Sequence, residues 1–197
     1  MARRALLDLV PIPPEQVHAM NCPVDIAASG PDAASGLDAA RAAADEYEDL
    51  LRSPAAAIRG GRLDLVLLGL GIDGHTASLF PGSDILDEQV RWAAACQAPP
   101  AAISGRPSWR VTLTAPFINR AAMVLFLVSG AGKATAVREV IQGDATPGLF
   151  PARLIRPVDG RLCWLLDEEA ASGLDLAGDP AGPAYASVSN PGDEGAK

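Results

Sequence analysis

The apolar positions of the chain fall into short blocks that switch between strand-like and helix-like spacing. From Leu63 to Leu68 the run is nearly all apolar without alternation, which predicts a strand buried on both faces in a parallel sheet. "AAMVLFLVSG", Ala121 to Gly130, is the strongest strand signal, and the segment after it has helical spacing through Ala134, Val137, Val140 and Ile141. "EQVHAMN" reads as a short strand, Arg91 to Cys96 and Arg110 to Thr114 as two more, and "ARLIR" and "RLCWLLD" as a last crossover and strand. The Ala-rich segment from Asp32 to Leu51 predicts a helix broken early by Gly36 and closed by Pro54, Gly60 and Gly61. After Ser172 the composition turns to Gly, Pro, Asp, Ser and Ala, so residues 173–197 are expected to be a disordered tail behind one domain over 1–172. The fold class that follows is α/β, a single Rossmann-like domain whose mainly parallel sheet carries helices on both faces.

Composition narrows the function classes. With 197 residues the chain is long enough for one domain with its own core. Sixteen basic against twenty-four acidic residues give a formal charge of -8, which disfavours non-specific binding to nucleic acid or to an anionic membrane. A phosphate-bearing ligand must then be held locally by a few aimed groups. Cys22, Cys96 and Cys163 are odd in number and form no C-x-x-C pair, against a disulfide framework or a zinc site. The opening residues read as no signal peptide, and the apolar runs fall well short of the roughly 20 residues that span a bilayer, so a cytoplasmic location is expected.

In parallel sheets ligands bind beyond the carboxyl ends of the strands, which directs attention to the loops after Leu68 and Val128. In the first, Gly69, Gly71 and Gly74 have the G-x-G-x-x-G spacing of a dinucleotide turn. That reading fails on three counts: Pro81 and Gly82 stop any helix soon after Gly74, no acid ends the next strand candidate, and Asp73 would repel a pyrophosphate. What remains is a permissive turn presenting Asp73 and His75 two positions apart. Histidine can take a proton from water and return it to a leaving group, and a neighbouring carboxylate can fix its tautomer. The alternative is that His75 packs and Asp73 serves the turn. In the second loop "GAGKAT" lacks the first glycine of a P-loop and the Ser or Thr that would hold magnesium. Lys133, opening a helix, is a candidate anion ligand, because free N–H groups at a helix N-terminus together with an ammonium attract a phosphate.

The block "LDLVLLGLGIDGHTASLFPGS" closely resembles the signature of the 6-phosphogluconolactonases, a buried strand followed by G-x-G-x-D-G-H-T-A-S-L-F-P. "RVTLTAPFINRAAMVLFLVSGAGKATAVREVIQG" and "PARLIRPVDGRLCWLLDEEAAS" resemble the family's later blocks, so the likeness runs from about Leu6 to Ser172. The resemblance implies hydrolysis of 6-phospho-D-glucono-1,5-lactone to 6-phosphogluconate in the oxidative pentose phosphate pathway, without metal or other cofactor. His75 would activate water, Asp73 would orient it, and the main chain around Gly71 and Gly74 would line the pocket. Lys133 would bind the phosphate, and Arg110 either reaches the substrate or pairs structurally at a strand start. Glucosamine-6-phosphate deaminases share the G-x-G-x-D-G-H turn but continue I-A-F-N-E-P, whereas Thr76, Ala77, Ser78, Leu79, Phe80 and Pro81 follow here. The family opens with a further strand, a glycine-rich turn and a "DER" segment that have no counterpart in this sequence. The domain is therefore expected to be N-terminally truncated, with an exposed sheet edge, and a non-catalytic sugar-phosphate binding relative is the alternative.

Overall fold

The computed structural model describes residues 2–20, 33–54, 59–99, 108–175 and 184–187. Its centre is a four-stranded parallel sheet of β1 (Leu65–Leu68), β4 (Met123–Val128), β5 (Arg161–Leu166) and β6 (Ala184–Ser187), in the order β1-β4-β5-β6. Leu68 lies beside Phe126 and Val128 beside Leu166, so the neighbouring strands end at nearly the same level. The loops leaving β1 and β4 consequently emerge side by side at one edge of the sheet. Parallel neighbours need a crossover, and α4 (Ala134–Ile141) supplies the one from β4 to β5.

Between β1 and β4 the chain makes an antiparallel pair outside the sheet, β2 (Ala93–Ala98) with β3 (Ser108–Leu113). A short helix follows, α3 (Ala115–Ile118), started by Thr114, whose hydroxyl accepts from the Phe117 N–H at 3.4 Å. The long helix α2 (Ala33–Arg52) packs on this pair, and α1 (Ala2–Ala5) is a single turn at the start of the chain. Glu48 fastens α2 to the start of β2: its carboxylate accepts from Arg52 at 2.7 Å, from Arg91 Nε at 2.8 Å and from the Trp92 N–H at 3.2 Å. Gly36 lies inside α2 and does not break it. An interior glycine costs a helix only about 1 kcal/mol, which burial of Ala40, Ala44 and Leu51 offsets.

The main core unites Val66, Leu68, Val124, Phe126, Val128, Trp164 and Leu166 from the sheet with Val137 and Val140 of α4. Phe126 and Trp164, adjacent on β4 and β5, stack with ring centroids 4.0 Å apart. The α/β class and the parallel sheet hold. The two-faced burial expected for Leu63–Leu68 does not: Val66 and Leu68 are buried, whereas Leu65 and Leu67 are 49% and 54% exposed. Leu127 on β4 is likewise 44% exposed. The face of Val66, Phe126 and Trp164 is buried, and on the other Met123, Leu125, Cys163 and Leu165 are half-buried.

Two further expectations change. "EQVHAMN" forms no strand over its described residues; Pro14–Gln16 is a 3-10 turn, because two prolines withhold backbone donors, and Tyr47 of α2 donates to the His18 carbonyl. The expected tail over 173–197 lies mostly outside the described residues, but its described parts are tied in. Leu174 packs against the core, Asp175 exchanges two hydrogen bonds with Gln142, and β6 pairs with β5. Among the described residues no helix is long and apolar enough to cross a membrane.

Candidate active site

The chain leaves β1 into a tight turn closed on itself. The Gly71 N–H donates to the His75 carbonyl at 2.8 Å, and the Gly74 N–H to the Gly71 carbonyl at 3.0 Å. Within it, Asp73 Oδ1 lies 2.5 Å from His75 Nδ1 and also accepts from the His75 N–H at 3.2 Å. Burial pushes the Asp73 carboxyl up, but the two hydrogen bonds from His75 outweigh it and hold the group below the ordinary carboxylate value. An ionised carboxylate only accepts, so the short contact places a proton on Nδ1, and in the neutral ring the lone pair is then on Nε2. One face of the imidazole is walled by Phe80, whose ring centroid is 4.8 Å away.

Glycine is required at both ends of this turn for different reasons. A Cβ on Gly71 would overlap His75 Nδ1 and Asp73 Oδ1. Gly74 has φ +76, a conformation that other residues resist, and a Cβ there would run into Phe150. Beyond His75 the turn is stapled to the scaffold. The Thr76 hydroxyl donates to the Gly69 carbonyl at 2.8 Å, and the Ser78 N–H donates to the hydroxyl of buried Thr112 at 3.1 Å. From the other side the Ala152 N–H donates to the Gly74 carbonyl at 2.9 Å and the Gly82 N–H to the Gly148 carbonyl at 3.1 Å.

His75, Gly71 and Lys133 line one cavity of about 550 Å³, together with Thr76, Ser78 and Thr112. The two loops singled out by the parallel sheet thus meet at a common space, lined by His75 from one and Lys133 from the other. Asp73 contacts His75 without lining the cavity, and Gly74 faces Phe150 instead of the cavity. Arg110 is half-buried on β3, two residues before Thr112, and is not part of that cavity wall.

Lys133 ends a 3-10 turn, Ala131–Lys133, directly before α4. Two donors of the loop leading into that turn are engaged: the Gly130 N–H by Asp167, at 2.9 and 3.1 Å to the two oxygens, and the Ala131 N–H by Glu169 Oε2 at 3.1 Å. Sequence reasoning missed this pair and also Thr112 and Phe150. Asp167 opening α5 (Glu168–Ala171) carries a legible capping signal, but its second partner 37 positions upstream carries none.

A family model described as glucosamine-6-phosphate isomerases/6-phosphogluconolactonase matches residues 1–164. The chain is 40% identical over 176 residues to a 6-phosphogluconolactonase of Synechocystis sp., a match covering 88% of this chain and 65% of the relative. It is 36% identical over 172 residues to the Homo sapiens 6-phosphogluconolactonase, covering 86% and 58%. Among solved structures it is similar to the 6-phosphogluconolactonase from Leishmania guyanensis, with a TM-score of 0.70 and 32% identity over 88% of this chain and 67% of that one. The chain thus spans somewhat under two thirds of the length of these curated relatives.

Proposed function

The chain belongs to the family of glucosamine-6-phosphate isomerases and 6-phosphogluconolactonases, and from that premise we propose that its His75 cavity hydrolyses 6-phospho-D-glucono-1,5-lactone to 6-phosphogluconate. One observation carries the reading: a carboxylate held ionised at 2.5 Å from His75 Nδ1, in a turn whose cavity is shared with Lys133. In this reading Asp73 keeps the proton on Nδ1, and His75 Nε2 takes a proton from a water as that water attacks the lactone carbonyl carbon. The carbonyl electrons move to oxygen, the tetrahedral intermediate collapses, and the ring C–O bond breaks. The imidazolium returns its proton to the departing ring oxygen. Base catalysis of this kind contributes typically about 10² to 10⁴ in rate.

Lys133 receives the phosphate, whose charge an ammonium neutralises as a compact point charge. Gly71 leaves room for the imidazole beside it, and Gly74 turns the chain so that His75 projects from the strand end. Arg110 has a structural role on β3 in this reading. The unusual residue after Thr76 is consistent with a functional turn: Ala77 lines the cavity with φ +48, a conformation that costs about 1 kcal/mol or more and is concentrated at functional sites. The reaction takes place in the cytoplasm on a small-molecule sugar phosphate.

The continuation Thr76, Ala77, Ser78, Leu79, Phe80, Pro81 favours the lactonase over the isomerase side of the family, since it places the Phe80 ring against His75. The test is lactone hydrolysis by the protein and by His75→Ala. A loss of at least about 10²-fold in kcat is expected. Unchanged turnover in the variant overturns the role of His75, and no hydrolysis by the unaltered protein overturns the lactonase reading.

A further inference from the structure

We infer that Asp167 is a positioning residue for phosphate recognition, its carboxylate fixing the Gly130–Lys133 turn so that the Lys133 ammonium stands in the cavity of His75. This rests on the lactonase reading of that cavity. The turn between β4 and α4 has little to hold it: Gly130 has φ +92, and glycine recurs at position 132. Lys133 is linked to it by its own N–H, which donates to the Gly130 carbonyl at 3.0 Å, so whatever fixes Gly130 fixes Lys133.

Asp167 is that tie. Its Oδ1 accepts from the Ala170 N–H at 2.8 Å, which caps α5. Capping uses one oxygen, and α5 is only four residues long. Both oxygens are nevertheless directed at Gly130, Oδ2 at 2.9 Å and Oδ1 at 3.1 Å, across the junction of β4 and β5. Glu169 engages the next N–H, that of Ala131, at 3.1 Å. Two backbone donors that could have held a phosphate are thereby used inside the protein. The Lys133 side chain is the cation that this turn presents to the cavity, and the carboxylate behind the turn holds its backbone.

The test compares the full chain with Asp167→Ser and Asp167→Asn on 6-phosphogluconolactone and on unphosphorylated glucono-1,5-lactone. Serine keeps a capping oxygen but is too short to reach Gly130 as well. For Asp167→Ser, KM for the phosphorylated lactone is expected to rise about tenfold, with kcat within about twofold and kcat/KM on the unphosphorylated lactone unchanged. Asn retains Oδ1 with its two bonds and is expected between the two, about threefold above the unaltered protein. An unchanged KM in either variant, or an equal loss on both lactones, overturns the inference. The asparagine comparison decides the matter should the serine variant not fold. A Lys133→Ala variant with unaltered KM for the phosphorylated lactone likewise overturns the inference, whereas an unaltered protein that hydrolyses neither lactone counts instead against the lactonase reading.

Discussion

Gly71 and His75 occupy one another's space: the imidazole Nδ1 lies where a side chain on Gly71 would begin, and the backbones of the two residues are hydrogen-bonded at 2.8 Å. The Nδ1–Cε1 side of the ring therefore fills the space that a Gly71 side chain would take, with Phe80 4.8 Å away by ring centroids and Asp73 on Nδ1. Gly71→Ala is expected to displace the imidazole from Asp73 and to lower kcat by at least about tenfold, because misplacing a catalytic group by about 1 Å costs up to about 10²-fold. The check is turnover together with a melting curve. An active, fully stable Gly71→Ala would show that the ring has room to move.

The Asp73 carboxyl sets a second expectation, in pH. Its folded value is held below the ordinary carboxylate value of about 3.9, so the pairing contributes stability at all pH above that value and loses it as the pH falls through the lower, folded value. Asp73→Asn removes the titration. The melting temperature of the unaltered protein should accordingly converge on that of the variant below about pH 4 and exceed it at neutral pH. In the lactone assay at neutral pH the same variant should lose at least about tenfold in kcat, because an amide no longer dictates which ring nitrogen holds the proton.

Glu48 supplies a prediction about the scaffold. It is 9% exposed and accepts from Arg52, Arg91 and the Trp92 N–H; burial raises its carboxyl value, and these bonds together lower it below the ordinary one. Glu48→Ala leaves two guanidinium groups and a backbone donor without that acceptor. Since Arg52 is 45% exposed and regains water, the loss is set at about 1–3 kcal/mol. For a chain of this size that is a fall of roughly 2–4 °C per kcal/mol in a thermal melt. Activity per folded molecule should be retained, and a melting temperature within about 1 °C of the unaltered protein would show that the network adds nothing.

The parts of this molecule legible from sequence are those whose cause is local. The apolar block at Leu65–Leu68 and the runs ending at Val128 and Leu166 announce strands, and the parallel arrangement follows from the helical spacing between the last two. Asp73 and His75 are legible as a pair because two residues in one turn can be read together. The helix through Gly36 was misjudged because its burial against β2 and β3, invisible along the chain, outweighs the local cost of glycine. One-sided burial of β1 was hidden for a related reason: a run of four apolar residues looks the same whether one face or both are covered. The ties from Phe150 to Gly74, Thr112 to Ser78 and Asp167 to Gly130 span tens of residues and leave no periodic mark.

The pairing of Leu65 with Met123 means that β1 waits for a partner made roughly sixty residues later. At about 5–20 residues per second, translation leaves Leu65, Val66, Leu67 and Leu68 unpaired for several seconds after they are made. A strand of four consecutive branched apolar residues is then an adhesive part of the nascent chain. The yield of folded protein should depend on how fast the segment up to Val128 follows it, more than on the final stability of the sheet.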